Sequence, residues 1–331
     1  MGQEPQGRRT GSHPTMDIQF ILIDGFSMMA LTSAIEPLRA ANRLAGVPLF
    51  NWTLVSERVG HAASSSGIEI ATHYGFADAP TADLTILVAS FLPENYGNAT
   101  LFSRLRRLRS TGRMIGAVSS GTLLLARAGV LGNHRVTIHW ETERALETAF
   151  PHVNASREIY CWDRDVLTSA GGAAAMDLML ALITKVHGAT LANDVAEQFL
   201  HGQIRPPTQM QRQDAQWRFR VNDPRLLKAI ELMQAHLGNP KPLSWIAEQV
   251  DLSKRQLARL FSGGVQTQPS RFYLELRLRA ARGMVLSSTE PLEVIAEICG
   301  FSSLGHFSRS YKAQFGESPS QTRRKIVTRY V

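Results

Sequence analysis

Cysteine is nearly absent: the chain has two, Cys161 and Cys299, far apart in sequence. A disulfide-stapled scaffold is therefore excluded, and both read as reduced, buried thiols of a cytoplasmic protein. Long apolar runs are missing too. The most apolar stretch, Ala173 to Ile183, is broken by Asp177 and falls short of the roughly 18 residues a membrane span needs. No apolar core follows Arg8-Arg9, so no secretory leader is expected, and residues 1–16 read as a flexible tail.

Acidic charge is what the last third lacks. Residues 221–331 hold sixteen Lys and Arg against nine Asp and Glu, so nearly all of the chain's net charge of +8 lies there. Such asymmetry points to a polyanion partner for that third, most simply nucleic acid. The rest is close to neutral. With 44% hydrophobic residues in 331, the chain can bury about two domains' worth of core.

The first part alternates strand-like and helix-like stretches. Strands are expected at Asp17–Ile23, Asn51–Ser56, Ile68–Ala71, Leu84–Ala89 and Arg113–Val118. Helices are expected from Ser27, as cap, to Ala45 with a kink at Pro37, and at Ala99–Ser110, Ser120–Ala128, Glu141–Phe150, Ala173–His187 and Leu191–His201. Apolar strands alternating with helices argue an α/β parallel sheet. Residues 203–222 are rich in Gln, Arg and Pro without a clean period and read as a linker. Beyond Pro224 every pattern is helical.

That helical part is closely punctuated. A helix at Leu226–Leu237 is followed by Leu243–Val250, a tight turn at Asp251-Leu252, and Ser253 as cap for the basic helix Lys254–Phe261. After a long helix, Pro269–Leu286, the layout repeats. Pro291–Cys299 turns at Gly300-Phe301, and Ser302 or Ser303 caps Leu304–Phe315. In each second helix one face is apolar (Leu257, Leu260 and Phe261; Phe307, Tyr311 and Phe315). Lys254, Arg255 and Arg259, and in the repeat Ser303, Gly305, His306 and Arg309, are left for a groove of double-stranded DNA. Arg259 and Arg309 suit bidentate pairing with guanine; Arg271, Arg277, Arg279, Arg282 and Arg323-Arg324-Lys325 read as phosphate contacts or solvated charges.

The stretches Leu243–Phe261 and Ala296–Ser320, with the exit Phe315-Gly-Glu-Ser-Pro319, resemble the DNA-binding domain of AraC/XylS-type transcription regulators. That resemblance implies, for residues 223–325, two helix-turn-helix units on a rigid linker helix, entering successive major grooves. Thr322 stands where the family has an aromatic residue, which is expected to loosen the last turn.

The segment Arg113–Ala126 reads as strand, sharp turn and helix with Ser119 at the tip. It looks like a nucleophile elbow, incomplete because Ala117 stands where Gly-x-Ser-x-Gly requires glycine. A Ser119/His139 pair needs a third group to orient the base, and Asp163 and Asp165 are the candidates. A hydrolase or amidotransferase-like enzyme using Ser119, with an accessory DNA module, is the alternative reading.

Gly25–Asn42, Leu123–Leu131, Thr137–Glu141, Leu167–Gly172, Asp177–Leu180 and Val195–Phe199 make residues 17–202 similar to the PfpI, class I glutamine-amidotransferase-like fold. The whole chain resembles the GlxA-like branch of AraC regulators. This implies a flavodoxin-like parallel sheet sandwiched by helices, followed by the all-α double helix-turn-helix domain. Enzymes of that fold carry cysteine at the elbow and an acid in the first helix, where this chain has Ser119 and Ala30. The implied protein is no enzyme but a transcription regulator, an activator, with a sensing pocket at the old elbow. Backbone N–H groups at Ser119, Ser120 and Gly121 suit a carboxylate, and His139, Trp140 and Glu141 suit a cation. The expected effector is a small amino acid, amine or quaternary ammonium compound. No cofactor, metal or membrane partner is expected; promoter DNA, RNA polymerase and a second copy of the chain are.

Overall fold

The computed structural model describes residues 14–90, 96–211, 221, 223–287 and 290–330. The expected tail lies outside them up to residue 13, and the expected linker lies outside them at 212–220 and 222. In chain order come β1 (Met16–Leu22), α1 (Met28–Ala45), β2 (Phe50–Ser56), β3 (Gly60–Ala63), β4 (Glu69–Thr72), β5 (Tyr74–Gly75), β6 (Leu84–Ala89), α2 (Ala99–Ser110) and β7 (Met114–Ser119). Then follow α3 (Gly121–Ala128), β8 (Arg135–Thr137), α4 (Glu143–Ala149), β9 (Asn154–Ser156), β10 (Tyr160–Asp163), β11 (Val166–Ser169), α5 (Ala174–His187) and α6 (Ala189–Gln198).

Seven strands form one sheet in the order β10-β11-β7-β6-β1-β2-β5. Every pairing is parallel except β10 with β11. The strands are apolar because both faces are covered. In β1, Ile18, Phe20 and Leu22 pack with α1, α5 and α6, whereas Ile21 joins Ile23, α2 and α3 on the other face. The first helix opens on Ser27, whose hydroxyl accepts from Ala30 N at 3.3 Å, and stays helical through Pro37 to a left-handed Gly46. Parallel order puts the ends of β6, β7 and β11 on one edge, at Ala89, Ser119 and Ser169. Ligands of open α/β sheets bind at that carboxyl edge.

Among the described residues the remainder is helical: α7 (Pro224–Ala235), α8 (Leu243–Glu248), α9 (Lys254–Gly264), α10 (Pro269–Ser287), α11 (Leu292–Ile298), α12 (Leu304–Phe315) and α13 (Pro319–Tyr330). Two small cores share α10. Phe272 and Leu276 close one over Ile230, Ile246, Leu257 and Phe261; Leu278, Ala281 and Val285 close the other over Ile295, Phe307 and Tyr311. Thr322 does not loosen the exit. It is buried, donates to Glu317 Oε1 at 2.9 Å, and lies inside α13, a helix the periodicity did not announce. Both cysteines are buried and free, with their thiols pushed up to about 11 by burial. No helix of the described residues is long and apolar enough to cross a membrane.

Candidate functional site

Strand β7 ends on a bend that only a few residue types tolerate. Ser119 has φ 61°, left-handed for a residue with a Cβ, at a cost of about 1 kcal/mol or more. The chain then turns into α3 so tightly that a Cβ on Gly121 would lie 2.6 Å from Leu87 O. From the neighbouring strand, the turn after β11 presses against the same point. A Cβ on Gly171 (φ 94°) would lie 2.7 Å from the Ser119 Cβ. Ser119 is 6% exposed, and its hydroxyl oxygen would lie 3.2 Å from the same Gly171 Cβ.

Two helix starts lie beside this residue, α3 directly after it and α5 just after Gly171. The residue before α3, Ser120, makes no side-chain cap, and neither does Ala173 before α5. The backbone fills most of these positions instead: Ser120 N, expected to be offered to a carboxylate, donates to Ala89 O at 3.0 Å, and Ala174, Ala175 and Met176 N donate back to Gly171, Gly172 and Ala173 O at 3.1, 3.3 and 3.1 Å, so what the two helix starts offer an anion is chiefly their positive ends. Ala30, where an acid would face the elbow in an enzyme, is fully buried.

The other three predicted residues follow β8. Thr122, in the first turn of α3, donates to Thr137 O at 2.8 Å and so ties the end of β8 to the elbow helix. Burial holds the His139 imidazole below its ordinary pKa, with Glu141 opposing. Its Nδ1 accepts from Glu141 N at 3.4 Å and lies 3.7 Å from the Glu141 carboxylate, which fits a neutral ring. The Trp140 ring, 39% exposed, lies 5.5 Å from that of His139.

The third member of a triad is not supplied by either candidate. Asp165 precedes β11, at the sheet edge opposite Ser119. Against the burial that opposes ionisation, Arg109 and His134 hold its carboxyl below the ordinary range, with His134 Nε2 at 3.0 Å. Asp163 accepts from Arg135 N at 2.8 Å, and this bond likewise lowers its pKa. Sequence reasoning missed Gln211, from the expected linker. Its amide donates to Ile138 O at 2.8 Å and accepts from Trp140 N at 2.9 Å.

In the basic part the predicted reading residues share a character. Lys254, Arg255 and Arg259 on α9, and Gly305, His306 and Arg309 on α12, are exposed, while Leu257, Phe261, Phe307 and Tyr311 are buried behind them. Ser253 and Gln256 form a reciprocal capping box at 3.2 and 2.8 Å. Of the two cap candidates in the repeat it is Ser303 that accepts from His306 N, at 3.3 Å, so this exposed hydroxyl is already engaged. One reading is corrected: Arg277 is not a phosphate contact. Its guanidinium donates to Cys299 O at 2.8 Å and Gly300 O at 2.6 Å and lies over the Phe301 ring. Arg271 and Arg279 flank Glu275 at 3.1 and 3.7 Å, beside a polar groove of about 580 Å³ that includes Gln266 and Thr267.

Two helix-turn-helix units that share α10, following an α/β sheet with serine at its elbow, define the class of a DNA-binding transcription regulator. Residues 16–185 match the DJ-1/PfpI family, and residues 246–325 match a helix-turn-helix domain. The chain is 38% identical to the HTH-type transcriptional regulator CdhR of Pseudomonas aeruginosa, over 93% of this chain and 92% of that one. It is 36% identical to the HTH-type transcriptional regulator GlxA of Rhizobium meliloti, over 93% of this chain and 95% of that one. A crystal structure of an AraC family transcriptional regulator from Pseudomonas putida superposes with a TM-score of 0.52 at 29% identity, covering 56% of this chain and 99% of that one. The protein belongs to the GlxA-like branch of AraC/XylS-type regulators, which join a DJ-1/PfpI-type part to a helix-turn-helix part. It is a sequence-specific DNA-binding transcription regulator, and its near-full-length relatives are regulators rather than enzymes.

Proposed function

We propose that the α/β part senses a small amino acid, amine or quaternary ammonium compound and that its occupancy controls promoter binding. Ser119, Ser120 and Gly121 receive a carboxylate; Trp140 and Glu141, beside a neutral His139, receive the cationic end. One observation carries this reading. Ser119, almost wholly buried, is held in a left-handed bend between two helix starts that no side chain caps. The positive ends of the two helices favour a ligand carboxylate at that point, and the Ser119 hydroxyl can donate to it.

In the same proposal residues 17–202 are the sensing domain, 203–222 the linker and 223–325 the DNA reader. Lys254, Arg255 and Arg259 read one major groove, and Ser303, Gly305, His306 and Arg309 read the next. Activation, contact with RNA polymerase, a homodimer and a cytoplasmic location accompany the reading from the family resemblance. Thermal melting of the full-length protein with glycine, trimethylglycine, tetramethylammonium or acetate tests the effector. A zwitterion at a hundred times its Kd adds about 2.7 kcal/mol, a rise of several degrees. Tetramethylammonium and acetate, each lacking one charge, are expected to do much less. Equal shifts from all four, or none, would remove the two-ended site.

A further inference from the structure

The chain leaving α6 does not run free toward the DNA reader; it is fastened twice to the sensing part. The first fastening is Asp177, in the first turn of α5 and 0% exposed. It accepts from His201 Nε2 at 2.9 Å, and from Arg205 N, Nε and Nη2 at 2.9, 3.0 and 2.6 Å. The second is Gln209–Gln211, which lies antiparallel along Arg157–Ile159. Ile159 N donates to Gln209 O at 3.0 Å, and Gln211 N donates to Arg157 O at 3.1 Å.

At the end of this added strand the Gln211 amide is fully employed. It donates to Thr137 Oγ1, Ile138 O and Glu158 O at 3.0, 2.8 and 3.1 Å, and it accepts from Trp140 N at 2.9 Å. One linker side chain thus spans the backbone of the turn that presents His139, Trp140 and Glu141. Any shift of that turn on binding a ligand must lengthen or shorten bonds to the residue from which the chain departs for α7.

We infer that Gln211 is a positioning residue that couples the Ile138–Glu141 turn to the linker, so that occupancy of the sensing site and DNA binding bias the same latch. The inference rests on reading His139, Trp140 and Glu141 as part of the effector site. Coupling is reciprocal: if an effector alters DNA affinity, DNA must alter the effector site. The latch can therefore be probed from the DNA side.

The experiment uses full-length wild type, Gln211→Ala and Gln211→Glu, and a duplex selected from random sequences by the wild type. Hydrogen exchange is followed in the peptide holding Trp140, with and without that duplex, and melting temperatures establish that all three proteins are folded. Glutamate keeps the size and still accepts from Trp140 N, but it cannot donate to Ile138 O or Glu158 O. In the wild type, DNA is expected to change the exchange rate by about fivefold or more, the lower end of usual allosteric couplings. In both variants the change falls below about twofold, although each still binds the duplex. A DNA-induced change of the same size in the variants, or none in the wild type, overturns the latch. Trimethylglycine binding, measured on the same proteins by calorimetry, separates the two ideas. Its failure to bind the wild type removes the effector class and leaves the DNA comparison to decide the latch. Binding to the wild type without a DNA-induced change at Trp140 removes the latch alone.

Discussion

The two helix-turn-helix units make the same turn with different residues. In the first, Asp251 N donates to Glu248 O at 3.1 Å and Leu252 N to Ala247 O at 2.9 Å. In the second, Gly300 N donates to Glu297 O and Phe301 N to Ala296 O, both at 2.8 Å. Each ends its helix on a left-handed residue, Asp251 at φ 52° and Gly300 at φ 74°. The surroundings differ. Asp251 is exposed, whereas a Cβ on Gly300 would stand 2.6 Å from both Leu237 O and Pro240 Cδ. A Cβ on Gly238 would likewise reach 2.8 Å from Ile298 O. The loop after α7, in the first unit, is thus pressed onto the turn of the second. Arg277 of α10 holds that turn's carbonyls from the other side. Local strain is tolerated where the turn is open; glycine is obligatory where another backbone closes on it. The closed turn ties the second unit to the first through backbone contacts, and if α9 and α12 both enter DNA, such a tie bears on the spacing of their half-sites.

Gly300→Ala strikes this contrast hardest. Left-handed strain of about 1–2 kcal/mol adds to overpacking of about 1–3 kcal/mol, and urea unfolding should show a loss within the sum of the two. A loss under about 0.5 kcal/mol, as for an ordinary surface change, would mean that the two turns are equivalent. Arg277→Met comes next. It keeps an unbranched apolar stem but removes the guanidinium that lies over Phe301 and strands two carbonyls, at about 1–3 kcal/mol. If Arg277 gripped phosphate instead, the variant would keep its stability and lose DNA affinity with a shallower salt slope.

Binding carries the contrast to the recognition helices. Arg259→Ala and Arg309→Ala should each cost about 1–3 kcal/mol at the selected site if each reads a base. Arg309 lies back along its helix, with Nη1 3.4 Å from where a Cβ on Gly305 would be. Gly305→Ala should therefore disturb the second groove contact and leave the first intact, as footprints of the two half-sites would show.

Much of this architecture could be read from periodicity, and the misses have physical causes. Leu84–Ala89 and Ala99–Ser110 fall where their patterns place them. The strands β8 to β11 have only three or four residues each, too few for an alternation to declare itself. In α13 the run Gln321-Thr-Arg-Arg-Lys325 is polar, and its buried anchor is a threonine. Ser119 was legible because strand, turn and helix are contiguous. Gly171 against it, and Gln211 against Trp140, are contacts across long sequence separations with no local signature. Arg277 was misread because, beside exposed arginines on the same helix, nothing in its spacing tells that it faces a turn.

The smallest expected effect reverses the sign of the largest. Asp251→Gly should relieve left-handed strain worth about 1 kcal/mol. It also removes a carboxylate just ahead of α9, where a negative charge near the helix start is worth about 0.3–1 kcal/mol, and it loosens the unfolded chain. The net is a stabilisation of about 0.5 kcal/mol or less, the difference between those terms. Asp251→Asn separates them, because asparagine tolerates the left-handed region and carries no charge. If strain dominates, glycine stabilises and asparagine changes little; if the helix-start charge dominates, both destabilise, and the loss shrinks as salt is raised. A destabilisation by glycine that salt does not touch would mean that Asp251 is held by its surroundings as Gly300 is, and the difference between the two turns would vanish.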